Sequence, residues 1–164
     1  MDRVEREHQR VVLTRNGRPA AVIMSPADLE ALEDTLDLLS DPTAMTDIVA
    51  ARDDLRDGRS VSAEQLSSQI PASVSEPGYR LVVAASAERS LARLPEAVAA
   101  AVVEFLVGPL ATNPGPVGHP LHRELAGLRA ARRGPYRVVY EIDEEGGVVG
   151  VLRIDHRADV YRPR

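Results

Sequence analysis

The stretch Arg132-Arg-Gly-Pro-Tyr-Arg-Val-Val-Tyr-Glu-Ile142 decides how the second half of the chain reads. Two adjacent arginines precede a Gly-Pro turn. Beyond it, residues alternate at the two-residue period of a strand. Tyr136, Val138, Tyr140 and Ile142 fall on one face, directed onto packed helices. Arg137, Val139 and Glu141 fall on the other. Working outward, the same pattern predicts strands at about 127–133, 136–142 and 147–154, with Asp143-Glu-Glu-Gly-Gly147 turning between the last two.

Upstream, Tyr79-Arg-Leu-Val-Val83 reads as a strand. Ser86 is expected to cap a helix through Leu94; Pro95 breaks it, and Glu96 to about Leu110 forms a second. Residues 112–120, TNPGPVGHP, are a turn-rich loop. A short terminal strand includes Val160 and Tyr161. The order β-α-α-β-β-β predicts an α+β fold, an antiparallel sheet with a helical hairpin on one face.

The first half opens with two β-rich runs, 10–15 and 18–24, flanking Asn16-Gly17. Both turn residues tolerate positive φ, so this is a hairpin signal. Pro19 has to lie near a strand start or an edge. Ser25-Pro26 reads as an N-cap and first helical position. Leu29, Leu32, Leu36 and Leu39 give one apolar helix face, read as core or dimer surface. Asp41-Pro42 ends that helix and starts another, which carries Met45, Ile48, Val49 and Leu55, has Asp47, Asp53, Asp54 and Asp57 on its outer surface, and stops at Gly58. Ser62 to Leu66 looks like one more helical turn. The expected organisation is therefore a first module over 1–66, a Ser/Pro-rich linker over 67–78 and a second module over 79–164.

The totals narrow the function. Net charge is −5, but it is unevenly spread. Residues 1–66 hold 14 acids and 8 arginines, whereas residues 77–164 hold 10 acids and 12 arginines. All 20 basic residues are arginine. The split suggests two modules of complementary charge. The absence of cysteine excludes disulfides, a thiolate zinc site and a thiol nucleophile, and is compatible with the cytoplasm. No apolar run reaches the length of a membrane span, so no membrane partner is expected.

On the strand after Ile142, Val149, Val151, Arg153, Asp155 and Arg157 share a face by simple alternation. If that face is open, Arg137 meets Arg153 or Arg157 across the sheet. Arg129, Arg132 and Arg133 are near in sequence, and Tyr161 and Arg162 follow. This outlines an arginine-rich groove with one phenol. Planar guanidinium groups suit bidentate contact with phosphate. Equally, such arginines are often solvated or paired with neighbours such as Glu124, Glu141, Asp155 and Asp159. His8, His119, His122 and His156 show no metal-ligand spacing, so neither metal nor cofactor is expected. His119, in a Pro/Gly loop, reads as a surface residue. His156 is either structural or a proton-transfer candidate.

Four stretches then carry a family resemblance: Ser86-Ala-Glu-Arg-Ser-Leu-Ala-Arg-Leu-Pro95, Leu125-Ala-Gly-Leu-Arg129, Arg132-Arg-Gly-Pro-Tyr-Arg-Val-Val-Tyr140 and Asp155-His-Arg-Ala-Asp-Val-Tyr161. With them, residues 79–162 resemble the RelE-like mRNA interferases of the RelE/ParE toxin superfamily. Residues 2–66 resemble a Phd/YefM-type antitoxin, through 10–22 and 25–32. The resemblance implies a type II toxin–antitoxin pair joined head to tail. It implies a toxin part that cleaves mRNA in the ribosomal A site, the RNA 2′-OH attacking the adjacent phosphate without metal. Arg137 would hold the scissile phosphate, Arg157 would sit near the leaving oxygen, and Tyr161 would assist removal of the 2′ proton. Arg129, Arg132, Arg133 and Arg153 would bind RNA phosphate. Arginine is a poor proton donor, which leaves the general acid open, with His156 as a candidate. A ParE-like gyrase inhibitor or a degenerate toxin acting as a binding module is the competing reading.

The same resemblance implies that Met45, Ile48, Val49, Asp53, Asp54, Leu55 and Leu66 belong to a segment that docks on the toxin, of the same chain or of a neighbour. Asp53, Asp54, Asp57 and Glu64 are expected to approach the arginine face. It also implies homo-oligomerisation through the hairpin. The family's opening strand and most of its first helix find no match here, which weighs against operator DNA binding.

Overall fold

A computed structural model of the chain describes residues 10–69 and 78–156. It is an α+β structure. A two-stranded hairpin, β1 (Val11–Arg15) and β2 (Arg18–Ile23), opens it. Asn16 and Gly17 both take positive φ, 53° and 73°, as the tight turn requires. Thr14 pairs with Pro19 and Leu13 with Ala21, so Ala20 is an extra residue beside the proline. A bulge there accommodates a residue that has no N–H to give the ladder.

Helix α1 (Pro26–Ser40) starts at Ser25, whose hydroxyl accepts from the Asp28 N–H at 3.1 Å. Helix α2 (Pro42–Arg56) starts the same way at Asp41, which accepts from the Thr43 N–H at 2.9 Å. Each has proline in its first turn, where a missing N–H costs nothing. Then follow β3 (Ser60–Ser62) and α3 (Ala63–Gln69). The single helical turn expected at 62–66 is therefore a short strand followed by a longer helix, which runs into the stretch read as linker.

The second half contributes β4 (Arg80–Ala84), α4 (Ala85–Leu91) and α5 (Glu96–Phe105), which continues as a wider turn through Leu110. Helix α4 starts one residue before Ser86 and ends at Leu91, and no side chain caps it. Short elements α6 (Pro114–Val117) and β5 (His119–Pro120) lead to β6 (Leu128–Arg133), β7 (Tyr136–Asp143) and β8 (Val148–His156). The terminal strand expected around Val160 lies outside the described residues.

The main sheet runs β3-β4-β8-β7-β6-β5. It is not wholly antiparallel: β4 pairs with β8 in parallel. The helices between these strands form the crossover that a parallel pair needs. Strand β3 completes the edge from the other half of the chain, antiparallel to β4.

Apolar clusters lie on both faces. One joins α4, α5 and α3 to the sheet through Leu66, Leu81, Leu91, Val102, Val138, Tyr140 and Val151. The other joins α1 and α2 to the opposite face through Leu38, Ile48, Leu128, Val139 and Leu152. The first half thus passes around the sheet edge: α1 and α2 on one face, β3 at the margin, α3 on the other face.

Two expectations change at this level. The buried face of α1 is Ala31, Asp34, Thr35 and Leu38. The stronger leucine stripe is turned mostly elsewhere: Leu29 and Leu36 are exposed, and Leu39 packs at the rim of the second cluster. On β8 the register slips: Val139 pairs with Arg153 but Tyr140 pairs with Val151. Leu152 is the extra residue of a bulge, so simple alternation fails across it. Val149 and Val151 join the core on the helical-hairpin side, while Arg153 and Asp155 share the other face with Arg137.

Candidate phosphate site and its cover

Asp34 of α1 is fully buried. Three side chains from three strands meet its carboxylate. His119 Nε2 of β5 lies 2.8 Å from Oδ2; Arg132 Nη2 of β6 and Arg137 Nη1 of β7 each lie 3.3 Å from Oδ1. Strand register places them on one face, because His119 pairs with Ala130 and Arg132 with Arg137. Burial alone would push the Asp34 carboxyl up. The hydrogen bonds of His119 and Arg132 and the charges of Arg137 and Arg132 outweigh burial and hold it at about 2, below the ordinary 3.8. An ionised carboxylate only accepts, so Nε2 of His119 carries a proton.

Arg137 is 1 % exposed. Its Nε and Nη2 donate to the two oxygens of Asp155 at 3.1 and 2.9 Å, and Asp37 stands 3.8 Å away. Burial pulls its pKa down, and the Asp155 and Asp34 carboxylates more than restore it. Arg132 also faces Glu30 at 3.3 Å and Glu33 at 3.8 Å. Arg153 donates to Asp155 at 3.0 Å, to Asp47, and reaches Asp41 at 3.6 Å. Arg132, Arg137 and Arg153 therefore form one cationic cluster, and α1 with the start of α2 supplies acids against all three.

The remaining expected site residues fall elsewhere. Arg129 points to the opposite face and donates to the carbonyls of Gly115 and Gly118 at 2.6 and 2.8 Å, holding the loop before β5. Arg133 is exposed and alternates away from Arg132, opposite Tyr136. His156 meets the Tyr136 ring edge-on, centroids 4.9 Å apart, on the face away from Arg137. Arg157, Tyr161 and Arg162 lie outside the described residues. His119, read as a surface residue, is mostly buried and bound to Asp34.

In the docking segment, Ile48 and Leu66 are buried, and Met45 and Leu55 pack at the second cluster. Val49 faces outward, 59 % exposed. The acids that reach the arginine face are not the ones expected. Asp53 pairs with Arg56, and Asp54 and Asp57 pair with Arg59, all within the first half. Glu64 lies on the exposed side of α3. Arginines of the first half take up three of these acids. Asp34 carried no distinguishing local signal. Its only mark is its place between Ala31, Thr35 and Leu38, a weaker periodic face than the leucine stripe.

The arrangement defines a chain in which an acidic module is seated on the cationic face of a second module. The family model for "Antitoxin Phd_YefM, type II toxin-antitoxin system" matches residues 1–58, and that for "ParE toxin of type II toxin-antitoxin system, parDE" matches residues 81–161. The chain belongs to the type II toxin–antitoxin families, its first half to the Phd/YefM antitoxins and its second half to the RelE/ParE toxins.

Among relatives, Toxin RelG of Mycobacterium tuberculosis is 52 % identical over 84 residues, covering 51 % of this chain and 97 % of that protein. Antitoxin RelB of the same organism is 41 % identical over 63 residues, covering 38 % of this chain and 71 % of that protein. A solved structure, the toxin–antitoxin complex RelBE2 of M. tuberculosis, matches at 49 % identity over 49 % of this chain and 99 % of that chain, with a TM-score of 0.47. The chain is therefore a type II toxin–antitoxin module carrying a RelE-like toxin part and an antitoxin part together. Among the described residues, no helix is long and apolar enough to cross a membrane.

Proposed function

We propose that the second half is an endoribonuclease that cuts mRNA in the ribosomal A site, and that the first half holds it inactive in this chain. The observation that carries the reading is the seating of the Asp34 carboxylate on Arg137 and Arg132. An anion already occupies the guanidinium groups that an RNA phosphate needs. In the reaction the RNA 2′-oxygen attacks the neighbouring phosphorus. Arg137 binds the scissile phosphate and stabilises its developing charge. Arg132 and Arg153 extend the cationic field, Arg157 lies near the leaving oxygen, and Tyr161 helps remove the 2′ proton. Metal is not needed for this chemistry.

Release of the second half requires α1 and α2 to leave the sheet, so their docking is the regulated step. The boundaries proposed for independent expression are 1–66 and 79–164. Residues 79–164 expressed alone are expected to arrest translation with cleavage inside ribosome-bound mRNA, and 1–66 supplied separately to restore growth. Arg137→Ala and Tyr161→Phe should each relieve the arrest. Full toxicity in both variants would refute the assignment. The match to the ParE family favours a second reading, a gyrase-directed toxin. A DNA-damage response without mRNA cleavage would select it.

A further inference from the structure

The Asp34 carboxylate belongs to the first half, and His119, Arg132 and Arg137, which donate to it, belong to the second. One carboxylate oxygen takes the two guanidinium groups and the other takes the imidazole. A phosphodiester presents two non-bridging oxygens in much the same way, with the bridging oxygens beside them. We infer that Asp34 stands where the scissile phosphate binds, and that His119 is the catalytic residue that protonates the leaving 5′-oxygen. This rests on the ribonuclease reading above.

Three observations support it. The position of His119 is fixed by the sheet: it pairs with Ala130 on the face that carries Arg132 and Arg137. Its side chain is only 12 % exposed, yet its Nε2 is aimed at the carboxylate on whose other oxygen both arginines converge. Among the described residues of this face, no other side chain is suited to give up a proton. Arginine does not release a proton at neutral pH, and His156 meets Tyr136 edge-on, on the face away from Arg137. Histidine is the side chain best suited to the task.

The 2′-oxygen forms a bond to phosphorus as its proton leaves to a base. The P–O5′ bond breaks, and its electron pair departs on O5′. The imidazolium Nε2 proton passes to O5′, which leaves as a hydroxyl. Neutral His119 is then reprotonated from water.

Two measurements on the full chain test this. The Asp34→Ala chain is titrated with inorganic phosphate while the His119 ring nitrogens are followed by NMR. A saturable shift of Nε2 is expected, and it should vanish on adding Arg137→Ala. No shift at His119 overturns the inference.

For cleavage, Asp34→Arg with Leu38→Arg sets two cations against the arginine face and unlatches the first half. On translating ribosomes, adding His119→Ala to this background is expected to slow cleavage about 100-fold, the scale of lost general-acid catalysis. With sulfur in place of the scissile 5′-oxygen, the leaving group needs no proton, and the variant should recover to within about tenfold of its parent, the remainder reflecting lost positioning. Unchanged cleavage in His119→Ala overturns the role, as does a defect that persists with sulfur. If phosphate shifts His119 but the unlatched chain cuts no mRNA, the ribonuclease reading falls and the proton-donor role falls with it. In that case only an anion site is left.

Discussion

Asp34 and Arg137 are separated by 103 positions, yet both are buried and ion-paired, Asp34 with Arg132 and His119 as well and Arg137 foremost with Asp155. Removing one partner of such a pair leaves an uncompensated charge in the interior. Asp34→Ala is therefore expected to destabilise the chain by about 3–5 kcal/mol in urea unfolding. The pH dependence has a definite sign. Folding lowers the Asp34 carboxyl from 3.8 to about 2. That stability is fully present above the unfolded value and disappears as pH falls from about 5 towards 2, roughly 2 kcal/mol in all. Asp34→Asn should flatten this limb of the stability–pH curve; an unchanged limb would assign it to other acids. The face of Arg137 was legible in the sequence, because alternation in 136–142 sets it opposite Tyr136, Val138 and Tyr140. Asp34 was not, because it is one acid among 14 in the first 66 residues.

At the scale of elements, helix α1 shows how a strong periodic signal can point away from the contact. Four leucines mark one stripe, yet the sheet receives Ala31, Asp34, Thr35 and Leu38. Small residues and a buried acid let the helix approach the arginines, which bulky leucines would not. Close approach recurs on α2, where a Cβ on Gly150 would meet Leu55 Cδ1 at 2.7 Å. Leu38→Ala should cost about 2–5 kcal/mol by denaturant titration, as a buried large-to-small change does. Val49→Ala, on the exposed side of α2, should stay within about 0.5 kcal/mol. Similar losses in both would contradict docking of α1 and α2 through these faces. The β8 bulge is the matching case for strands. Its single extra residue, Leu152, reverses the face of Val149 and Val151 relative to Arg153 and Asp155. A period of two cannot foresee an insertion of one.

For the whole molecule, the first half encloses the sheet on three sides but leaves its own hairpin outside. Val11, Val12, Leu13, Val22 and Ile23 of the hairpin are exposed, as are Leu29 and Leu36 of α1. Apolar surface of this kind marks an interaction site, and self-association through the hairpin and the leucine stripe is proposed on that ground. Val12→Asp with Leu36→Asp should convert the assembly to a monomer in sedimentation analysis while the fold persists in circular dichroism. A wild-type chain that is already monomeric at micromolar concentration would remove this assignment. By itself the sequence determined what is local: the Asn16-Gly17 hairpin, the capped starts at Ser25 and Asp41, the strands of the second half, the charge split and the family. Turn chemistry, capping and alternation act over a few residues, so a few residues suffice to show them. Only the tertiary structure decided which sheet face is covered and which acids meet Arg132, Arg137 and Arg153. It also brought His119 to the same carboxylate. Those pairings depend on helix docking, on a bulge that changes phase, and on a chain path around the sheet edge, none of which has a local period to read.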